Sequence, residues 1–486
     1  MRERLSQPNG QSALDSSRES GNEPAHSGNV GFSRAIPLTV GACFFMEGLD
    51  VTIISASLPQ IADAMRVGPS EIGIALTAYL ISVSMWMALS GWLADRFDAR
   101  RVFVAAICVF VLGSLVCGMS QTLAQLVTGR FLQGMGGALM TPVGRLILAR
   151  SFPRDELVRA MSWMIVPGLL GPMLGPVVGG WITTYLHWRW IFWINLPLGA
   201  IGIALALRYL QRFPPGSAGR LDLRGYILVA VALVAAQAGL EFFAADGGIG
   251  IEGLIGIAVA AIAFLLYAIH SRRVDPILDY RLFRFRAFAV AVLGGSFSRL
   301  VLGATMFVFP LYFQLGLGAS PVETGYLLAM LALGQMALRL GIDPLLKLFG
   351  IKSLLIGNSA VMAVLLSALL LFGEGASLLL LGGFLFVFGM LYAIQLSMLG
   401  ALNFSGIPSE QLGQATSIAA VTQRLAMAVG ISVAAILLGA GGESHDVVRE
   451  DFILPTLVLS AILLVSMAGF AFLRPGDGDD LLKKRG

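Results

Sequence analysis

The chain has 486 residues, of which 57% are hydrophobic and only 13% are charged. A soluble domain of this length does not carry so large an apolar share, so the composition predicts a membrane protein. The formal net charge of +4 does not require a nucleic-acid partner, because the basic residues follow the arrangement of the membrane spans described below.

The first element along the chain is a polar segment, residues 1–34. It is rich in Ser, Gly, Asn and Pro and has no hydrophobic periodicity. We predict a disordered cytoplasmic tail, because a signal peptide would need an apolar core closer to its start.

About fourteen apolar runs of at least 18 residues follow, each long enough to cross ~30 Å of hydrocarbon as a helix. They lack the alternation of barrel strands, so we predict an all-α membrane protein. The predicted spans are 36–58, 73–94, 102–119, 123–147, 160–183, 191–210, 225–243, 250–271, 287–314, 322–341, 353–373, 376–402, 413–439 and 452–473.

The Lys and Arg residues outside these spans predict the orientation. If the N-terminus is cytoplasmic, 25 of the 33 lie in the inside segments and only three lie in the outside segments. Basic residues concentrate on the cytoplasmic side of membrane proteins, so we predict a multi-pass protein with both termini in the cytoplasm.

The spans are predicted to form two halves of six, separated by an inserted pair, 225–243 and 250–271. This pair has almost no polar side chains away from its ends, so we expect it to face lipid and to add little to any pathway through the protein. A short internal echo supports two halves, since "DRFDARRVF" after span 2 can be aligned with "KLFGIKSLL" after span 10, which matches Arg100 with Lys352. The predicted organisation is a cytoplasmic tail (1–34), an N-terminal six-helix bundle (35–211), an inserted helix pair with cytoplasmic loops (212–286), a C-terminal six-helix bundle (287–474) and a second cytoplasmic tail (475–486).

Five stretches together resemble a known family. They are "LDVTIISASLP" in span 1, "GWLADRFDARR" after span 2, "GRFLQGMGGALMTP" in span 4, "PGLLGPMLGPVVGG" in span 5 and "WRWIFWINLPLG" at the start of span 6. In combination they resemble the major facilitator superfamily, specifically its fourteen-span drug:proton antiporter branch of the EmrB/QacA type. The likeness covers nearly the whole chain after residue 35. The stretches "LMTPVGRLIL", "LLGPMLGP" and "FPLYFQLGLGASP" look most like the MdtD and HsrA group.

The resemblance implies a major facilitator fold, with two six-helix bundles and two inserted transmembrane helices. It also implies a proton-coupled secondary active transporter of the bacterial cytoplasmic (inner) membrane, which exports amphipathic small molecules by alternating access as a multidrug efflux antiporter. The expected partners are a small amphipathic substrate, protons, the lipid bilayer and, as an open option, periplasmic adaptor proteins. Export of one specific endogenous metabolite or lipid is the alternative, because specific and polyspecific cavities are both mostly apolar.

Two acids, Glu47 and Asp50, lie in the middle of span 1, three residues apart and therefore on one face of a helix. Burial and like charge both oppose ionising two neighbouring carboxylates, so one should hold a proton near neutral pH. Arg130 in span 4 is the natural counter-charge. The resemblance assigns proton coupling to Asp50 and Arg130, and Glu47, which is not part of the usual pattern, is given a modulating role. A static buried ion pair is the alternative interpretation.

Two motifs, one in a loop and one in a span, predict segments that move during transport. The charged loop after span 2 is a predicted cytoplasmic gate, although any positive-inside loop collects arginines; Asp98 stands where the family usually has Gly. The glycines and prolines of span 5 allow close packing and bending, and the family treats them as an antiporter signature, while plain packing is the alternative. The gate residues are Gly91, Asp95, Arg96, Arg100 and Arg101, and the antiporter motif comprises Gly171, Pro172, Gly175, Pro176 and Gly179.

Other polar and aromatic residues in the spans are predicted to line a substrate cavity. Because the deep arginines outnumber the deep carboxylates, we expect this cavity to disfavour dicationic dyes and to accept neutral or anionic amphiphiles. The predicted cavity residues are Tyr79, Gln133, Arg299, Tyr312, Gln314, Gln423 and Arg424.

Several other classes are disfavoured. The four histidines have no metal-ligand spacing, so neither a metal nor another cofactor is expected. The chain also lacks a GxxxxGK[ST] phosphate loop, which argues against driving by ATP. An enzyme within the membrane would need a nucleophile with His, or paired aspartates, or a metal. A channel would need a filter segment. A sensor would need a soluble output domain. We therefore predict a transporter that is not an enzyme.

Overall fold

The structure is a computed structural model. The residues that it describes are 34–68, 71–152, 154–213, 221–245, 250–272, 280–338, 342–373, 375–403, 405–407, 411–439, 447–474 and 477. The two predicted tails, 1–34 and 475–486, lie outside the described residues except for Arg34 and Asp477.

The described part of the chain forms helices joined by short connections, and it contains no strand. The α-helices are numbered in chain order. They are α1 (Ala35–Ile53), α2 (Leu58–Met65), α3 (Gly73–Arg96), α4 (Ala99–Met119), α5 (Leu123–Ser151), α6 (Arg154–Tyr185), α7 (Trp190–Trp193), α8 (Asn195–Tyr209), α9 (Leu223–Ala245), α10 (Ile251–His270), α11 (Arg286–Ala289), α12 (Gly295–Leu311), α13 (Pro321–Leu338), α14 (Ile342–Ala368), α15 (Leu378–Leu402), α16 (Leu412–Gly439) and α17 (Ile453–Ala471).

Eleven helical segments of the described residues are long and apolar enough to cross a membrane. The other three predicted spans coincide with α3, α5 and α13, which are not among these eleven. The all-α prediction is therefore confirmed for the described residues, whereas a count of fourteen spans is not.

Helices α1–α8 are called the N-terminal group, and α11–α17 the C-terminal group. In the N-terminal group α1 packs along α6, α4 packs on α5 and α8, and α3 packs on α5. The C-terminal group repeats these pairings, since α12 packs on α16 and α17, α13 packs on α15, and α14 packs on α15 and α17. The two groups meet where α6 contacts α13 and where α3 contacts α16.

Two ends of the helix bundle can be told apart. The end at which α3 finishes and α4 begins carries Arg96, Arg100 and Arg101; we call it the basic face. The end at which α1 finishes is called the opposite face.

The inserted helices α9 and α10 differ in their surroundings. On α10 most of the large apolar side chains are exposed, Phe264 at 66% for example, which fits the expected contact with lipid. Helix α9, by contrast, packs against α3, α10 and α16 and buries Gln237. Helix α9 thus has an exposed apolar face, with Ile227 at 50% for example, and a second face that packs between the two groups, which the expectation of lipid contact did not include.

Candidate functional site

Five polar side chains form a buried cluster inside the N-terminal group: Asp50, Ser114, Arg130, Gln133 and Asn195. Asp50 Oδ2 accepts a hydrogen bond from Arg130 Nη1 at 2.6 Å. Asp50 Oδ1 accepts from Gln133 Nε2 at 2.9 Å and from Asn195 Nδ2 at 2.7 Å. No member is more than 1% exposed. Such dense pairing is what a buried carboxylate needs to offset its lost hydration.

Close contact between α4 and α5 positions this cluster. A Cβ atom on Gly113 would lie 2.5 Å from the backbone nitrogen of Gln133, so only glycine fits there. This approach brings Ser114 Oγ within 2.6 Å of Gln133 Nε2. The Gln133 Oε1 atom in turn accepts from Arg130 Nη1 at 2.9 Å, which fixes the guanidinium beside the acid.

Tyr79 lies between the buried cluster and Glu47. The guanidinium of Arg130 lies 4.4 Å from the centroid of the Tyr79 ring. The Tyr79 hydroxyl is buried, has no hydrogen-bond partner among the described residues, and lies 2.8 Å from the point where a Cβ atom on Gly137 would stand. Glu47 Cγ lies 3.7 Å from the same point, so the hydroxyl and the Glu47 side chain both border Gly137.

A cavity of about 510 Å³ lies between the two groups and is called the central cavity. Its walls come from α1, α5 and α6 on one side and from α12, α13, α15 and α16 on the other. The charged side chains in its lining are Glu47, Arg145 and Arg424. Glu47 accepts a hydrogen bond from Thr141 Oγ1 at 2.8 Å, so α1 and α5 are joined at the cavity wall.

The groups are in contact at the opposite face. A Cβ atom on Gly180 would collide with the backbone of Pro321, and one on Gly325 would collide with the backbone of Pro176. Between the same ends, Gln60 Nε2 donates to Gln314 Oε1 at 2.8 Å. These contacts close the central cavity toward the opposite face.

Toward the basic face the cavity lining reaches exposed residues. Arg145 and Ile165, both part of the lining, are exposed, Ile165 at 44%. The central cavity is therefore accessible from the basic face in this conformation.

Of the seven residues predicted to line a cavity, Arg424 belongs to the lining of the central cavity. Gln133 is in the buried cluster, and Tyr79 lies beside it. Gln314 is at the opposite-face contact and also donates to Ala56 O at 3.0 Å. Gln423 is partly buried on α16 outside this lining.

Arg299 and Tyr312 both lie buried within the C-terminal group. Arg299 Nη1 donates to Ala291 O at 2.8 Å. The Tyr312 hydroxyl lies 3.2 Å from Leu369 O and 3.1 Å from Phe372 O, its two acceptors. Both side chains thus satisfy backbone carbonyls of their own group.

Sequence reasoning did not identify Ser114, Asn195 and Thr141. Ser114 and Asn195 complete the buried cluster, and Thr141 binds Glu47. All three are polar residues inside predicted spans, and this was the available signal. They come from three different spans, 3, 4 and 6, and hydropathy does not tell which faces of these spans meet, so their convergence could not be read from spacing.

The predicted antiporter motif lies on α6 against α1. Cβ atoms on Gly171, Gly175 and Gly179 would each collide with α1, at Phe45 O, Thr52 Oγ1 and Ile53 O respectively. These glycines therefore let α6 approach the helix that carries both acids. Pro172 and Pro176 belong to the lining of the central cavity.

The predicted gate lies at the basic face, where α3 and α4 meet. Asp98 caps α4, its Oδ1 accepting from Arg100 N at 3.1 Å and from Phe213 N at 3.0 Å. The Arg100 guanidinium donates to Leu207 O of α8 at 2.5 Å. Arg101 Nε lies 4.0 Å from Asp98 Oδ2. Arg96 is exposed; Gly91 and Asp95 belong to α3, but the surroundings of Gly91 and the side chain of Asp95 are not among the features that the structure describes.

Within the described residues no group of three or more His, Cys, Asp or Glu side chains is arranged to hold a metal ion. The chemistry that the arrangement offers is therefore carried by the buried cluster, Glu47 and the central cavity.

Residues 40–431 match the Major Facilitator Superfamily. The chain belongs to this superfamily of membrane transporters and is not an enzyme, as the sequence motifs predicted.

Curated relatives narrow the likeness further. The chain is 33% identical over 436 residues to "Putative multidrug resistance protein MdtD" of Pectobacterium atrosepticum, covering 89% of this chain and 93% of the relative. It is also 33% identical over 447 residues to the protein of the same name in Escherichia coli strain SE11, with the same coverage. The chain is thus similar to the MdtD group.

Solved structures support the fold. A D-xylose–proton symporter superposes with a TM-score of 0.65 at 15% identity, over 91% of this chain and 98% of the symporter. An autoinhibited peptide transporter of the POT family superposes with a TM-score of 0.66 at 16% identity, over 93% of this chain and 97% of that one. At such low identity these likenesses bear on the fold alone.

Proposed function

We propose that this chain is a fourteen-span, proton-coupled antiporter of the bacterial inner membrane that exports amphipathic small molecules by alternating access, with both termini in the cytoplasm. The observation that carries the proposal is the buried Asp50–Arg130 ion pair, which lies inside the N-terminal group one turn along α1 from Glu47, a residue in the wall of the cavity shared by the two groups. The volume of that cavity, about 510 Å³, suits a drug-sized ligand. The name of the MdtD relatives points to the same substrate class.

Asp50 is the coupling residue in this mechanism, and Arg130 assists it. A proton bound to Asp50 removes the charge that holds Arg130, whose other hydrogen-bond acceptors, Gln133 Oε1 and Ala75 O, are neutral. The contact between α1 and α5 then loosens, and because both helices line the cavity between the two groups, the change shifts the balance between the two arrangements of the groups.

Glu47 has the modulating role. It lies in the cavity wall, where water from the basic face can reach it, and Tyr79 lies between it and the buried cluster. A proton could pass between Asp50 and the cavity along this line. Each proton that crosses ~100 mV of membrane potential supplies about 2.3 kcal/mol to the cycle.

The charge of the lining bears on the substrate. The central cavity presents Arg145 and Arg424 but one carboxylate, Glu47, among its described residues. Such a lining favours neutral or anionic amphiphiles over dications.

Proteoliposomes with a trapped pH-sensitive dye test the coupling. Anilinonaphthalene sulfonate serves as the anionic probe and propidium as the dication. We expect the wild type to move protons in response to the anionic probe and to respond less to propidium. Asp50→Asn should abolish this proton movement, and Asp63→Asn, which alters an exposed acid on α2, should leave it unchanged.

Two results would count against the proposal. Proton movement at the wild-type rate in Asp50→Asn would remove Asp50 from the coupling mechanism. A clear preference for propidium would overturn the substrate class inferred from the lining.

A further inference from the structure

The inserted helix α9 carries an acid that neither the motifs nor the proposed mechanism uses. Glu241 Oε1 accepts hydrogen bonds from Gln237 Nε2 at 2.7 Å, from Thr77 Oγ1 at 3.0 Å and from Ser432 Oγ at 3.0 Å. Thr77 belongs to α3 in the N-terminal group and Ser432 to α16 in the C-terminal group. One carboxylate oxygen thus bridges the two groups.

No cation neutralises this acid within the described part of the chain. Its three donors are neutral, and no lysine, arginine or histidine side chain is found within ion-pair distance of it. The arginines Arg130 on α5 and Arg424 on α16 face Asp50 and the central cavity instead. A carboxylate without a cation in an apolar setting favours binding a proton.

The other titratable groups near Glu241 are acids as well. Glu71, two residues before α3, lines the same cavity as Glu241. On α10, which packs on α9, the acid is Glu252, and it is exposed. The walls that α5 contributes to this cavity are Leu123 and Phe131, which do not titrate.

A route for the proton is also present. The cavity beside Glu241 has a volume of about 400 Å³ and includes the exposed Glu71, so it reaches the opposite face. The central cavity, in contrast, is accessible from the basic face. Gln237, which is 6% exposed, has an amide oxygen with no donor in the described part of the chain, and this oxygen can accept the O–H of a protonated Glu241.

We infer that Glu241 is a second proton-binding site, which exchanges protons with the opposite face and controls the contact between the two groups. An ionised Glu241 holds Thr77 and Ser432 together through charge-assisted hydrogen bonds. Proton binding weakens its acceptor oxygen, so the α3–α9–α16 contact loosens and the groups separate more readily. Its link to a transport cycle rests on the proposed function, whereas proton binding itself does not.

Distance measurements between spin labels test this inference without transport. The labels are placed at Ala149→Cys on α5 and Leu348→Cys on α14, both exposed near the basic face, with the three native cysteines replaced by alanine. We expect the distance distribution to change with pH in the parent protein. Glu241→Gln should keep the low-pH distribution at every pH, and Glu252→Gln should retain the parent response.

Two further variants separate this site from the proposed coupling residue. A pH response that persists in Asp50→Asn but is lost in Glu241→Gln supports an independent site. An unchanged response in Glu241→Gln overturns it. If Glu241→Gln does not fold, Ser432→Ala, which removes one donor, should shift the midpoint of the pH response, and an unshifted midpoint counts equally against the inference.

Infrared difference spectroscopy provides a direct readout of the proton. A titrating carboxylic acid band that is present in the parent and missing in Glu241→Gln is the expected result. Identical difference spectra for the two proteins would show that Glu241 does not bind a proton over the pH range used.

Discussion

Asp50 and Arg130 depend on each other because neither is accessible to water. A buried ion pair whose partner is removed typically costs about 3–5 kcal/mol, because one charge remains uncompensated. Three side chains donate hydrogen bonds to Asp50. Gln133 and Asn195 are neutral, so Arg130 is the one that balances the charge of Asp50.

We therefore expect Arg130→Met to lower the free energy of unfolding by about 3–5 kcal/mol. The measurement is thermal unfolding in detergent, followed by the intrinsic fluorescence of tryptophan. The double variant Asp50→Leu with Arg130→Met should recover most of the loss, because no charge is left unpaired. A double variant that is less stable than the single one would show that the pair acts through packing and not through charge balance.

At this scale the sequence identified part of the cluster. Asp50, Arg130 and Gln133 could be predicted, since charged or amide side chains in apolar spans seek partners. Asn195 and Ser114 were missed because an isolated Asn or Ser in a span carries little information before its neighbours are known. The separation of Glu47 from Asp50 was also hidden: three residues apart on α1, one lines the cavity and the other points into the N-terminal group.

Among the helices, the contact of α6 with α1 depends on small residues. Backbone and side-chain atoms of α1 occupy the space that a Cβ atom on Gly171, Gly175 or Gly179 would need. Without such close approach the helix bearing the two acids would lie farther from α6.

Gly175→Ala should therefore destabilise the protein by about 1–3 kcal/mol, as overpacking does in a filled interior. Gly383→Ala on α15 is the matched control, because nothing lies within 4 Å of its added Cβ atom. This control should be neutral or gain about 0.5–1 kcal/mol from the better helix propensity of alanine. Thermal unfolding of the two variants side by side is the measurement, and equal effects would contradict the packing argument.

The short internal echo in the sequence corresponds to equivalent contacts. Arg100, at the start of α4, donates to Leu207 O near the end of α8. Lys352, its predicted match on α14, donates to Ala471 O and Leu473 O at 2.8 and 2.6 Å, at the end of α17. The two basic side chains thus bind the carbonyl ends of corresponding helices, where the helix dipole favours a cation.

In the molecule as a whole, the two groups contain comparable polar clusters with different charge. In the C-terminal group Gln395 Nε2 donates to Ser298 Oγ at 2.7 Å, and Gln395 Oε1 accepts from Asn358 Nδ2 at 2.8 Å. The side-chain partners of Gln395 among the described residues include no acid, whereas Gln133 on α5 donates to Asp50. Of these two clusters, the one in the N-terminal group therefore carries the ion pair, and the one in the C-terminal group is neutral in its described side chains.

The opposite-face contact should hold the molecule in its present conformation. A bifunctional thiol reagent applied to Gln60→Cys with Gln314→Cys, whose native side chains are hydrogen-bonded at 2.8 Å, should lock that contact. We expect cross-linking to abolish transport of the anionic probe in proteoliposomes and a cleavable reagent to restore it on reduction. The single cysteine variants treated in the same way should stay active, and full activity in the cross-linked pair would show that this contact need not open.

Some features followed from the sequence alone. Composition and run length determined an all-helical membrane protein, because lipid offers no hydrogen-bond partners to an open backbone. The motifs determined the superfamily, which the match over residues 40–431 confirms. Both are local properties, which depend on residues close together in the chain.

Other features were decided only by the tertiary structure. The packing of helices distant in sequence determined that Asp50 meets Asn195, that Glu47 faces the central cavity and that Glu241 bridges α3 and α16. The second face of α9, which packs on α3 and α16, could not be predicted for the same reason. Hydropathy measures how apolar a helix is on average, whereas the partner of a single polar side chain depends on which helix lies against it.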